Sequence, residues 1–272
     1  MSGASAKLSD ASRSAAAPSE PDTSALFGYV VALADDALIS AQRMGEWIAA
    51  SPQLEEDVAM GNIALDQLGQ ARALLTYAGE VEGAGRDEDA LAYFRDERDF
   101  RNVHLVERDQ RSDFGVSMAR LLFLSVYQHE LYSRLQHSTD ETLAAVAAKA
   151  VKEVDYHRDH AMMWVLRLGD GTQESHRRMQ SGLEAEWPFT EELFDDTHVD
   201  AVLVEAGVAV DPGALRDPWH KRVAEVLAQA TLALPEVPPA VTGGRRGIHS
   251  EQMGYLLAEM QHLARSHPGA TW

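Results

Sequence analysis

Apolar residues recur at three- and four-residue steps along most of the chain, and no stretch alternates apolar with polar residues over the length of a strand. The pattern therefore predicts helices throughout. The stretch Leu54 to Glu80 organises the rest, with Leu54, Val58, Leu65, Leu68 and Leu75 marking one face. Gly61 and Gly69 interrupt it where each costs about 1 kcal/mol relative to Ala. With Ala64, Ala71 and Ala73 they predict a slim central helix closely approached by other backbones. A preceding helix is expected from about Ser24 to Ala50, with Tyr29, Leu33, Asp36, Ser40 and Trp47 near one face and Ser51-Pro52 as its break. Beyond a polar loop at Glu82 to Asp87, ALAYFRDERDFRNVHLVE predicts one or two short helices, and a third long helix runs from about Phe114 to His137. Thr139 or Asp140 opens a fourth, whose buried side is Leu143, Ala147, Ala150, Val154, Ala161, Val165 and Leu168, and Gly169-Asp170-Gly171 stops it.

Thr172 to Glu186 forms a fifth helix in this reading, residues 195–210 and 214–234 two more, 235–248 a Pro- and Gly-rich loop, and Ser250 to Ser266 the last helix. Residues 1–23 are rich in Ala and Ser, carry Pro18 and Pro21 and show no hydrophobic period, so they are expected to be a disordered tail. Four long helices with one medium crossover match an all-α, ferritin-like helical bundle with additional C-terminal helices, a single domain over 24–272. At 272 residues and 45% hydrophobic content a large core is available. The absence of Cys excludes disulfides and thiolate chemistry. No run approaches the roughly 18 apolar residues of a membrane span, and no secretion signal is recognisable, so a cytoplasmic location is expected. A net charge of −19 argues against broad nucleic-acid binding.

The bundle raises the question of a di-iron centre, which requires a carboxylate on each of two helices and Glu-x-x-His on each of the other two. The candidate carboxylates are Asp36, Asp66, Glu130 and Glu153, one per helix. The histidines fail: Gly69 stands three after Asp66, and Tyr156 three after Glu153, with His157 one residue late. His157 and His160 share a stripe with Glu153, which leaves a shifted ligand set as the rival to a metal-free interior. In that interior buried Asp36, Asp66 and Glu153 are satisfied by Arg, His or Tyr and fix helix register. Glu259 to His262 is the one literal Glu-x-x-His and reads as a solvent-facing coincidence.

Seven motifs carry a resemblance: LADDALIS (33–40), LGQARALLTYAGE (68–80), RDERDFRN (95–102), AAKAVKEVDYHRDH (147–160), LGDGT (168–172), GVAVDP (207–212) and TGGRRGIHSEQMGYLLAEMQ (242–261). Over about residues 24–272 the chain resembles the PaaC family, found in the bacterial ring-1,2-phenylacetyl-CoA epoxidase. The resemblance implies a structural subunit with no cofactor of its own. Its implied partner is PaaA, which holds the di-iron centre and inserts oxygen, with electrons arriving from NADPH through a reductase subunit. The runner-up is a di-iron oxygenase in its own right. Two basic motifs are candidate contacts with CoA phosphates or with the partner. One contributes Asp99, Phe100, Arg101 and Asn102, the other Arg245 and Arg246 on a loop expected to be flexible. For the first motif the competing reading is an intramolecular salt-bridge cluster.

Overall fold

The computed structural model describes residues 23–109 and 113–270, so the tail expected at 1–23 lies outside the described residues except for Thr23. Helix α1, Thr23–Gly45, is buried continuously from Tyr29 to Ala41, a stretch that is apolar apart from Asp35, Asp36 and Ser40. By length and composition it could cross a membrane, which corrects the expectation that no run approaches that length; 72% of that apolar window lies inside the fold. A short turn leads into α2, Leu54–Glu82, which ends at Gly83 in the left-handed region (φ 67). Helix α3, Glu88–Tyr93, is capped by Asp87, and the crossover continues through α4, His104–Glu107. Helices α5, Phe114–Leu135, and α6, Glu141–Gly169, complete the bundle. Their caps, Asp113 and Asp140, accept hydrogen bonds from the Gly115 and Leu143 amides at 2.7 and 2.9 Å.

The α1–α2 pair packs on the α5–α6 pair. Cross-links from Glu56 to Trp164, Asp66 to His157 and Gln70 to Glu153 show α2 and α6 running antiparallel. Helix α7, Gln173–Glu186, opens on a Thr172/Ser175 capping box and lies along α5. Gly182 there faces the Gly115 backbone so closely that a Cβ would meet it at 2.9 Å. Of the two helices expected between 195 and 234, the first is only the five-residue α8, Ala201–Glu205, and the second is α9, Arg216–Gln229. Helix α9 plugs Trp219 among Phe123, Phe194 and Trp187, its indole N–H donating to the Phe123 carbonyl at 2.8 Å. Helix α10, Glu251–Ser266, covers α3 and α4. No strand occurs among the described residues, and the fold is an all-α, ferritin-like bundle.

The face expected to be buried on α2 divides along the helix: Leu75 is buried and Leu68 packs partly on the core, but the N-terminal part is turned outward. Leu54, Val58 and Leu65 are 74%, 57% and 65% exposed, whereas Met60, Ile63, Ala64, Gln67, Ala71, Leu74 and Ala78 are buried. Two apolar stripes run along this helix, and the inner one is made largely of small and amide side chains, so it is the weaker signal in sequence. The close-packing role assigned to Gly61 and Gly69 is likewise corrected. A Cβ at Gly61 meets nothing within 4 Å, and at Gly69 only the Lys149 ammonium at 3.9 Å. The close approaches are elsewhere, as at Gly244, where a Cβ would overlap the Asn102 carbonyl oxygen. Gly61→Ala should therefore raise stability by about 0.5–1 kcal/mol through helix propensity, while Gly244→Ala should lower it by about 1–3 kcal/mol through overpacking. Thermal melting of the two variants checks this, and a lowered melting temperature for Gly61→Ala would place a neighbour where none is seen.

Candidate functional site

The bundle interior is polar at mid-length, and most but not all of its polar atoms find hydrogen-bond partners there, Gln70 Oε1 and His160 Nε2 having none. Gln67 on α2 donates from Nε2 to Gln128 Oε1 on α5 at 2.7 Å, and Gln128 Nε2 returns the bond to Gln67 Oε1 at 3.0 Å. One turn on, Gln70 Nε2 donates to Glu153 Oε2 at 3.1 Å, whose other oxygen lies 3.1 Å from the Lys149 ammonium. His157 Nε2 bonds Asp66 Oδ2 at 3.0 Å. His160 Nε2 lies 3.2 Å from Glu56 Oε2, which also accepts from the Trp164 indole at 2.8 Å. Burial pushes both histidines below the ordinary imidazole range, although Asp66 and Glu56 oppose that shift. A neutral His157 that donates from Nε2 accounts for its Nδ1 having no partner.

A second polar assembly clasps the C-terminal segment to the crossover. Arg95 pairs with Asp35, donates to the Leu91 carbonyl and stacks over Phe100 at 4.1 Å, while the Arg101 amide donates to Asp35 at 2.8 Å. Arg245 is buried: its Nη2 meets Asp36 Oδ2 at 2.7 Å and its Nη1 donates to the Arg101 carbonyl at 2.9 Å. Asp36 also accepts from the Val103 amide at 2.9 Å. Glu192 bridges the two segments, accepting from the His104 and Gly244 amides at 2.7 and 2.6 Å. Glu107 accepts from His249 Nδ1 at 2.9 Å and from the Ser250 amide at 2.7 Å. Burial alone would lower the His249 pKa and raise that of Glu107. Their mutual attraction reverses both, so His249 is raised and Glu107 lowered, as befits an ion pair.

Residues 10–272 match the family described as phenylacetic acid catabolic protein. The chain belongs to that family. It is 45% identical over 247 residues to one of the subunits of the 1,2-phenylacetyl-CoA epoxidase of Escherichia coli (strain K12), a span covering 91% of this chain and 99% of that protein.

In this phenylacetic acid catabolic protein the candidate ligands are not gathered. Asp66 meets His157 and Glu153 meets Gln70, but Asp36 is engaged by Arg245. Glu130 is half-buried and paired with Arg134 at 2.9 Å, and Tyr156 is exposed. Gly69 lies at the edge of the α2–α6 contact beside Lys149. No group of three or more His, Asp or Glu is placed to hold a metal ion among the described residues. The donor set does not fit a di-iron pair, because Gln67-x-x-Gln70 stands on the inner face of α2 and two amides there bond Gln128 and Glu153. Sequence reasoning missed these glutamines by centring on Asp66, one residue off the inner stripe; the spacing Met60, Ile63, Gln67, Ala71, Leu74 carried the signal.

The basic motifs lie partly inside the fold, and the first of them takes part in intramolecular ion pairs, Arg95 with Asp35 and Asp96 with Arg265. Phe100 and Asn102 are buried and Arg101 half-buried, while Asp99 is exposed. Arg245 is an interior group, which leaves only Arg246 of its pair exposed. Glu259 and His262 are both exposed on α10.

The two kinds of histidine predict opposite pH responses. With its pKa raised, His249 contributes stability that is complete below about pH 6.5, the unfolded value, and fades as pH rises through the folded value. Glu107, lowered from 4.5, contributes above that value and loses its share as pH falls through the folded one. His249→Gln should thus cost most between about pH 5 and 6.5, and less toward pH 8.5. His157, with its pKa lowered, makes the fold lose stability as pH drops below about 6.5, and His157→Gln should flatten that loss. Denaturant midpoints across this range give the answer, and a His249→Gln cost that grows with pH would contradict the ion pair.

Proposed function

We propose that the chain is the non-catalytic structural subunit of a phenylacetyl-CoA 1,2-epoxidase, a multicomponent monooxygenase of aerobic phenylacetate catabolism. It pairs with the related di-iron subunit PaaA, which performs the oxygen insertion with electrons from NADPH delivered by the reductase subunit. The observation that carries this reading is the reciprocal Gln67–Gln128 amide pair at the inward positions of α2 and α5. Neutral amides bonded to one another hold the helices in register and offer no charge to a metal. The 45% identical relative is itself named as one subunit of an epoxidase, which supports an assembly role. The rival, an oxygenase with a shifted ligand set, would need Asp66, Glu153, His157 and His160 to converge. Asp66 and His157 do meet, at 3.0 Å, but His160 is turned to Glu56, and Glu153 to Gln70 and Lys149.

Turnover measured on the separate and combined subunits tests the proposal. This chain alone, given ferrous iron, reductase and NADPH, should leave phenylacetyl-CoA unchanged, and PaaA co-purified with it should epoxidise the substrate. Turnover by this chain without PaaA, or equal solubility and rate for PaaA made alone, would overturn the structural role.

A further inference from the structure

The outward stripe of α2 has a spacing that the bundle uses only at its C-terminal end, where Leu68 packs partly on the core. Leu54, Val58, Gly61, Leu65 and Leu68 stand four, three, four and three residues apart, the seam by which one α-helix receives another. At 1.5 Å per residue this seam is about 21 Å long, or roughly four turns. Isolated exposed leucines are ordinary, whereas a contiguous apolar stripe on a rigid helix marks an interaction site. The stripe also forms one wall of a groove of about 570 Å³, with Ile48 and Leu38 on the α1 side and Met260 from α10 opposite. Tyr93 and Met260 continue it into a second hollow of about 340 Å³ beside exposed Phe94 and Leu263. Midway along the seam, the open space over Gly61 lets another backbone come close.

The charge around the groove selects its occupant. Its lining includes Glu259 and Glu46, the latter already paired with Arg43 at 2.6 Å, and no Lys, Arg or His, and exposed Glu55 flanks the seam at its N-terminal end. A second copy of this chain, itself at −19, would bring carboxylates against carboxylates. The geometry points to this α1–α2–α10 groove as the docking site for an amphipathic helix of the partner subunit, one with apolar residues at alternating three- and four-residue steps and Lys or Arg on its flanks. This rests on the subunit pairing proposed above and names the surface that performs it.

Leu65→Glu and Gly61→Leu probe the seam in the full chain, since both sites face open space and the fold does not depend on them. Each should leave the melting temperature of the free chain within a few degrees of the parent and weaken binding to purified PaaA at least tenfold, as read by calorimetry. Leu234→Glu, exposed on another surface, should bind as the parent does. Hydrogen exchange in the complex should slow across residues 48–68. Normal PaaA binding by both seam variants, with exchange slowed elsewhere, would overturn the docking site and leave the pairing intact. No complex with the parent chain would overturn both. A free chain that dimerises until Leu65→Glu makes it monomeric would assign the groove to a second copy. A seam whose exchange quickens in the free chain when residues 1–22 are removed would assign it to that segment. Either result would contradict the partner helix.

Discussion

A helix bundle that buries polar side chains at mid-length has to find partners for them within the fold. In this chain an amide pair, Gln67 with Gln128, does so completely, each side chain both donating and accepting, whereas Gln70 Oε1, His157 Nδ1 and His160 Nε2 are left without a hydrogen-bond partner. Two neutral groups arranged in this way need no counterion, and they tie α2 to α5 at one register. The neighbouring contacts extend that tie toward α6, where Gln70 holds Glu153 and a neutral His157 donates to Asp66. A metal centre would need these same inward positions to carry carboxylates and imidazoles, and at Gln67 and Gln128 they carry amides bonded to one another.

The charged residues of the fold are used instead where chain segments distant in sequence meet. Asp35 and Asp36 on α1 receive Arg95 and Arg245, and Glu107 and Glu192 gather the backbone of both the crossover and the 244–250 segment. Removing one member of such a buried pair leaves an unpaired charge at a cost of about 3–5 kcal/mol, so the clasp behaves as a unit. It keeps α10 over α3 and α4, and α10 in turn supplies the far wall of the groove along α2. Polar interior, clasp and outer seam are thus successive consequences of where α2 is held.

Much of this was legible in the sequence. The four long helices, the Asp140 and Thr172 caps and the Gly169 stop follow from local periodicity and capping chemistry, which depend on neighbours in sequence alone. The family resemblance was legible as well, because motifs such as TGGRRGIHSEQMGYLLAEMQ are long. What misled was the direction of α2. Large aliphatics stand on both stripes, Leu54, Val58 and Leu65 outside and Met60, Ile63 and Leu74 inside among small and amide residues, so hydrophobicity by itself does not choose the face. The same error placed Asp66 where Gln67 stands. Arg245 reads as a loop residue in sequence because only tertiary packing brings Asp36 to it. Residues that meet across long separations, such as Arg245 with Asp36 or His249 with Glu107, leave no local period to read.

The structural role proposed for this chain has hydrogen-bonded amides, and not metal, at the heart of the bundle. Anomalous diffraction at the iron edge, from crystals of the full chain soaked in ferrous iron under anaerobic conditions, tests it most directly. The expected map has no anomalous peak among Gln67, Gln70, Gln128, Glu153 and His157, with the Gln67–Gln128 bonds retained near 2.7 and 3.0 Å. An ordered iron peak in that space, with the two amides parted, would contradict it.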